Sequence, residues 1–433
     1  MAKYESYKLT HSLGFEKIPE EWNLKKVKYL FNIGRGRVIS QEELMDNGLY
    51  PVFSSQTQNN GCLGYINTFD FDCEQLTWTT DGANAGTVFI RSGKHNCTNV
   101  CGTLQPTTKK SNLKFSHYAL QYAAQFHKRP DTNGAKIMNN EMAEISFALP
   151  SEQEQFKIVE YLNHETGRIN TLIAKQEKLI ELLKEKRQAV ISHAVTKGLN
   201  PNVAMKDSGV EWLGQVPEHW AVSALGYYTF LNTGATPDRS NAKYWEGDIP
   251  WIKTGEVRYD TIFETEETIS ELAVKQTSVQ LSPVGTLLMA MYGQGITRGR
   301  VAILGVPATY NQACVAISPN KQVWNEYLKL FFMAGYHAIR DGGNETSQMN
   351  LNADIVKKFK ILVPPYQEQE EIVHEINQRI PKIDELLLKA ESAIQLMQER
   401  RTALISSAVT GKIDVRNWKH PNKNNEANTE LGA

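Results

Sequence analysis

Apolar residues recur in alternating steps of four and three through two separate stretches of this chain. In the first, Ile158, Leu162, Ile169, Leu172, Leu179, Leu183 and Val190 follow that rhythm, with Glu165, Gln176 and Lys186 filling the remaining places. In the second, Ile372, Ile376, Ile383, Leu386, Ala390, Ala393, Met397 and Leu404 do so, with Arg379 and Arg400 as the polar members. A 3.5-residue repeat of this kind is a coiled-coil seam. One such helix alone would leave an apolar stripe in water, so the two are expected to bury each other. Gly167 and Pro381 occupy matching places, and both residue types interrupt helices. The pattern predicts, in each stretch, a short helix, a joint and a rod of about 30 residues, ~45 Å long at 1.5 Å per residue.

The two stretches are copies. Pro150 to Gly198 aligns without a gap on Pro364 to Lys412, at an offset of 214, with 21 of 49 positions identical. Chance pairing of ordinary composition would give about three. A fainter repeat lies upstream of each: Ile18-Pro19-Glu20-Glu21-Trp22 resembles Val216-Pro217-Glu218-His219-Trp220, at an offset of 198. The connectors are alike and the segments between them differ.

Those variable segments, 23–149 and 221–363, read as mixed α and β. Runs such as Leu287–Met291 and Val301–Leu304 look like strands punctuated by glycine, and each segment has one amphipathic helix, near 114–127 and 324–340. The predicted fold class is α+β. Two globular mixed α/β domains are joined by two long helices in an antiparallel intramolecular coiled coil, as a pseudo-two-fold repeat. The boundaries are domain 1 at 1–149, helical segment 1 at 150–198 and a linker at 199–215. Domain 2 follows at 216–363, helical segment 2 at 364–413 and a disordered tail at 414–433. The paired seam is assigned to Ile169, Leu172, Leu179, Leu183, Val190, Ile383, Leu386, Met397 and Leu404.

Composition narrows the function classes. Lys plus Arg total 47 and Asp plus Glu 48. Bulk positive charge therefore does not drive partner binding, although basic residues on one face still can. Five cysteines in no dense framework point to a reduced, cytoplasmic chain. Cys62, Cys73, Cys97 and Cys101 have spacings of eleven, twenty-four and four, unlike a common zinc module, so they read as buried thiols and no metal is expected. No membrane span and no signal peptide are expected.

Candidate chemistry lies in loops. Arg makes bidentate bonds to guanine, and Asn or Gln to adenine. Arg35, Arg37, Gln56, Asn59, Arg91 and Lys94 in the first segment are candidate DNA contacts. Lys253, Gln294, Arg298, Arg300, Gln348 and Asn350 are their counterparts in the second. Catalytic motifs are not found. Val363-Pro364-Pro365-Tyr366 lacks the Asn or Asp that an amino-methyltransferase needs, and no phosphate-binding glycine loop has the right spacing. No catalytic residue is assigned.

The chain resembles the specificity (S) subunits of type I restriction-modification enzymes along nearly its whole length. The resemblance rests on Pro150-Ser151-Glu152-Gln153-Glu154-Gln155 and Pro364-Pro365-Tyr366-Gln367-Glu368-Gln369, and on Ala194-Val195-Thr196 with Ala408-Val409-Thr410. Asp207-Ser208-Gly209-Val210-Glu211-Trp212-Leu213-Gly214, leading into Pro217-Glu218-His219-Trp220, is a further signature, as are Pro250–Glu256 and Asn311-Gln312-Ala313. Near the N-terminus the Asp-Ser-Gly block is degraded to Thr10-His11-Ser12-Leu13, while Pro19 and Trp22 survive. The resemblance implies two target recognition domains, each reading one half of an asymmetric bipartite site in double-stranded DNA, with the helices as a ruler. It implies two methyltransferase (M) subunits, carrying S-adenosylmethionine, and restriction (R) subunits, using ATP and Mg. No cofactor is expected in this chain. Two other readings fit parts of the pattern: a coiled-coil scaffold with two protein-binding domains, and a self-contained methyltransferase.

Overall fold

The computed structural model describes residues 2–108, 112–132, 134–293, 296–341 and 351–421. Two compact units divide the chain. Unit 1 is Met1–Glu177 with Ser392–Ala433, and unit 2 is Lys178–Glu391. The boundaries fall at 177 and 391, and 391 − 177 = 214, the offset of the sequence repeat. Each unit thus holds one variable segment, the start of the helix that follows it and the end of the other helix.

In unit 1 a four-stranded antiparallel sheet is built from β1 (Phe31–Arg35), β3 (Gln75–Thr79), β4 (Val88–Arg91) and β6 (Cys101–Pro106), in the order β4-β3-β6-β1. A second sheet pairs β2 (Tyr50–Phe53) in parallel with β5 (Lys94–Cys97). Every residue of β3 is buried, as a central strand covered on both faces requires. The helix α1 (Leu113–Ala123) lays Phe115, Ala119, Leu120 and Ala123 into the core. Its first turn is capped by the Asn112 side chain, which accepts from the Phe115 amide.

Unit 2 repeats this plan. Strands β7 (Thr229–Thr233), β9 (Leu287–Ala290), β10 (Val301–Leu304) and β12 (Cys314–Pro319) take the places of β1, β3, β4 and β6. The pair β8 (Ile249–Ile252) and β11 (Thr309–Tyr310) is again parallel. Residues 325–334 form the helix that matches α1, burying Tyr327, Leu328, Leu330, Phe331 and Phe332.

The long helices, α2 (Glu152–Lys197) and α3 (Tyr366–Val409), are continuous. The expected joints at Gly167 and Pro381 are absent. Proline removes one backbone bond and glycine costs about 1 kcal/mol in a helix, and helix packing on both sides of each position outweighs these losses. Within unit 1, Ile158, Val159 and Leu162 of α2 share a buried cluster with Ile405, Ala408 and Val409 of α3. Within unit 2, Ile191, Ala194 and Val195 share one with Ile372, Val373 and Ile376. The start of one helix packs on the end of the other, so the pairing is antiparallel in each unit. Arg187 Nε donates to Asp384 Oδ1 at 2.8 Å across that pairing.

The seam needs one correction. Ile169, Leu183 and Ile383 are buried, and Val190, Met397 and Leu404 half-buried. Leu172, Leu179 and Leu386 are instead 48%, 42% and 50% exposed. The positions one residue further on, Ile173, Ile180 and Leu387, are the half-buried ones. Steps of four-three and three-four share alternate members, and both neighbouring positions are apolar here.

The repeated motifs anchor helix to domain. Trp22 Nε1 donates to Glu154 Oε2 at 3.1 Å, and Tyr4 OH to Glu154 Oε1 at 2.5 Å. Trp220 Nε1 donates to Glu368 Oε2 at 2.9 Å. The Gln155 amide donates to Pro150 O and the Gln369 amide to Pro364 O, at 3.0 and 2.9 Å. Gly198 and Gly411, both at positive φ, end the two helices. Gly198 lies against Trp220, and Gly411 against Pro19 and Trp22.

Two boundaries change. Residues 205–207 and 215–217 of the expected linker pair as an antiparallel hairpin, matched in unit 1 by 7–9 with 17–19. The head of the expected disordered tail is packed: Val415 is buried, and the Trp418 ring lies 5.5 Å from that of Tyr161. Residues 422–433 of that tail lie outside the described residues.

One half-buried group carries a pH prediction. Burial, with the Arg401 and Arg91 charges adding, pushes the His117 imidazole down to about 4. The unfolded chain takes up this proton near pH 6.5 while the folded chain does not. Stability conferred by neutral His117 is therefore present above pH 6.5 and lost as pH falls toward 4, at up to ~1.4 kcal/mol per pH unit. We expect His117→Phe to remove close to one proton from the pH slope of unfolding between pH 6.5 and 4.5. Denaturant melts across that window measure it; an unchanged slope would refute the assignment.

Candidate nucleic-acid interface

In each unit one end of the main sheet gathers three loops, and their backbones are tied in the same way. In unit 1 the Gly36 amide donates to Cys101 O at 3.0 Å and that of Arg37 to Cys97 O at 3.1 Å. In unit 2 the Gly234 amide donates to Cys314 O at 3.1 Å and that of Ala235 to Tyr310 O at 3.0 Å. The amides of Thr98 and Asn311 donate to Phe53 O and Ile252 O, at 2.8 and 3.0 Å. Those of Thr80 and Met291 donate to Val100 O and Ala313 O, at 3.1 and 2.8 Å. A Cβ on Gly36 would lie 2.1 Å from the Cys97 carbonyl oxygen, and one on Gly234 would lie 2.2 Å from that of Tyr310. Both turns demand glycine because two backbones approach without room for a side chain.

The side chains displayed on this common frame differ. Unit 1 presents Arg35, Arg37 and Asn99 where unit 2 has Thr233, Ala235 and Gln312. Arg35 Nε donates to Asn99 O, and Thr236 Oγ1 to Gln312 Oε1. A hairpin, 129–131 with 134–136, adds Arg129 and Lys136 beside Asp81–Gly82 in unit 1.

Several cations of these rims are held in ion pairs. Arg37 meets Glu43 at 2.9 Å and Asp70 at 3.2 Å, and the Glu43 bond leads in raising its pKa. Lys253 meets Glu266 at 2.7 Å and Glu267 at 3.1 Å. The Lys253 bond holds Glu266, and the Arg239 bond first of all Glu267, below the usual carboxylate range. Arg239 also stacks on Trp245 at 3.7 Å. Exposed pairs of this kind contribute little, so exchanging a carboxylate for a phosphate costs little.

Not every expected contact sits on these rims. Arg91 is a correction: it is only 2% exposed. Its guanidinium lies 3.6 Å over Phe53, donates from Nη1 to Asn60 O at 2.7 Å and from Nε to Thr77 Oγ1 at 3.2 Å. Burial lowers its pKa to about 10, so it stays charged. It pins the loop carrying Asn59 and Asn60, both at positive φ, rather than reading a base. Its place directly after the apolar run Val88-Phe89-Ile90 was the available signal. Lys94 starts β5, away from the rim loop that follows the strand, and lies 4.6 Å over the Phe69 ring. Gln56 donates within its own loop, to Cys62 O. Asn59 is exposed, Arg298 is half-buried beside Gly299, and Arg300 lies 5.7 Å over Tyr259. Gln294, Gln348 and Asn350 lie outside the described residues. Asn99, Arg129, Lys136, Thr236 and Arg239 were not singled out from sequence, and Gln312 only as part of the Asn311-Gln312-Ala313 signature. Only the paired glycine turns could have indicated some of them.

Among the described residues no group of three or more His, Cys, Asp or Glu side chains is placed to hold a metal ion. Burial pushes the Cys101 thiol up to about 11. Among the described residues no helix is long and apolar enough to cross a membrane.

A duplicated loop frame on two helix-linked α/β units is the architecture of a modular reader. The chain belongs to the family described as the type I restriction modification DNA specificity domain, which it matches twice, at residues 19–182 and 217–389. It is 37% identical over 161 residues to the type I restriction enzyme MpnII specificity subunit of Mycoplasma pneumoniae, a match covering 37% of this chain and 48% of that one. It therefore spans about half the length of that relative. The MjaVIII specificity subunit of Methanocaldococcus jannaschii is 23% identical over 446 residues, covering 96% and 97% of the two chains. Among solved structures, a chain from work on assembly and conformational transition of the type I R-M system aligns with a TM-score of 0.69 at 12% identity, over 92% and 99% of the chains. The HsdS subunit of Thermoanaerobacter tengcongensis aligns at 0.52 and 11%, over 92% and 98%. These likenesses support the fold.

Proposed function

We propose that this chain is the DNA-reading, non-catalytic subunit of a type I restriction-modification complex in the cytoplasm. Each rim reads one half of an asymmetric, two-part site in double-stranded DNA, and the lengths of α2 and α3 set the unspecified gap. The observation that carries this is the matched backbone frame with unmatched side chains: same docking, different bases. Two methyltransferase subunits dock along the helices. Leu172 and Leu396 are exposed in unit 1, and Leu386 and Leu182 at the matching positions in unit 2, so each unit offers an equivalent apolar pair. S-adenosylmethionine is bound in those subunits, and ATP and Mg are used by restriction subunits. The near-neutral charge of this chain then leaves part of the phosphate neutralisation to its partners.

Single-molecule methylome sequencing of cells carrying this chain with its cognate methyltransferase tests the proposal. A new bipartite N6-methyladenine motif with one fixed gap is the expected result. With an active methyltransferase present, no new motif favours the scaffold reading. Gly36→Ala is expected to force Cys97 and Thr98 back by more than 1 Å and to weaken DNA binding at least tenfold. Half-site competition assays should place that loss in one half only, and Gly234→Ala should place it in the other. Equal loss in both halves would contradict separate reading.

A further inference from the structure

The two ends of the helix pair are finished differently. In unit 1 the chain continues past Gly411 as a strap over the groove between the α3 end and the α2 start. Ile413 and Trp418 pack against the core, and the Trp418 ring lies 5.5 Å from both Tyr161 and His164. In unit 2 the corresponding chain is the direct linker 198–204, which has no counterpart of residues 414–420. The positions matching Tyr161 and Leu162 are Glu375 and Ile376. They border an open groove of about 520 Å³. Its apolar floor is Val190, Ala194 and Ile376, and Ala189 and Leu199 form its edge. The rim is basic: Lys186, His193 and Arg379 stand against the single acid Glu375, which is already paired with Arg379 at 2.5 Å. Among the described residues Lys186 has no ion-pair partner.

We infer that this groove receives a segment of a partner protein that presents an aromatic side chain beside carboxylates. That side chain takes the place that Trp418 fills in unit 1. The strap shows that an aromatic side chain covers the matching groove of unit 1, where it meets Tyr161 and His164, and with Glu375 and Gln378 at those places in unit 2 the basic rim selects an acidic segment. The site is distinct from the DNA rims and stands whether or not the DNA reading holds.

The probe is a fluorescein-labelled peptide spanning Lys412–His420 with Lys412→Glu and Arg416→Glu, titrated into the full chain by fluorescence anisotropy. Saturable binding is expected. It should weaken at least tenfold with Ala189→Arg in the protein or Trp418→Ala in the peptide. Ala189 and its twin Ala403 are exposed helix positions, where arginine is a good helix former. Circular dichroism checks the fold. Lys186→Glu supplies a second arm, weakening the acidic peptide but not the unaltered sequence. No saturable binding, or binding indifferent to Ala189→Arg, overturns the inference. So does loss with Ala403→Arg instead, which would mean that the peptide displaces the strap in unit 1.

Discussion

Replacing Trp22 with alanine is expected to destabilise unit 1 by about 3–5 kcal/mol, the range for deleting a large buried ring. Trp22 is 1% exposed, and its indole N–H is one of two donors to the buried Glu154 carboxylate. Burial raises the Glu154 pKa although both bonds lower it, so losing a donor leaves a costly group behind. Hydrogen exchange should lose protection across residues 2–177 before 205–363. Trp22→Phe keeps most of the apolar surface and should cost clearly less. A loss under about 1 kcal/mol for the alanine variant, well below the core-deletion range, would show that the repeated tryptophan is not the anchor.

Lengthening both helices together should change the target rather than abolish reading. Seven residues inserted after Lys178 and after Ser392, places 214 apart, keep the seam in phase. Each insertion adds ~10 Å of helix, or about 3 base pairs at 3.4 Å each. Methylome sequencing should show both half-sites unchanged and the gap longer by about that much. An unaltered gap would remove the ruler from the proposal. Insertion in α2 alone makes the two helices unequal, so the packed helix ends of both units cannot keep their register together, and it should abolish methylation.

The repeat made the architecture legible: 214 residues separate both the matched motifs and the unit boundaries. Register was harder. Leu172, Leu179 and Leu386 satisfy the heptad as well as Ile173, Ile180 and Leu387 do, because the outward face is apolar too. Gly167 and Pro381 signalled breaks that packing overrides. A loop reading also misplaced Arg91, whose burial depends on Phe53 and Thr77, distant in sequence. The rims were least legible, since Asn99 and Gln312 gain meaning only from backbone contacts around Gly36 and Gly234.

The N-terminus lies against the end of the second helix: the Asp414 amide donates to Ala2 O at 2.9 Å, and Tyr7 OH to Gly411 O at 3.1 Å. Unit 2 crosses the equivalent junction covalently, through residues 198–204. One junction is made by the chain itself and the other only by non-covalent contacts. Half of the chain, one variable segment with one long helix, carries one copy of each matched motif. Two copies of one insert on such a frame would present identical side chains and call for two identical half-sites. The asymmetry of the proposed target therefore resides in two unlike inserts, carried on a frame that is itself symmetric.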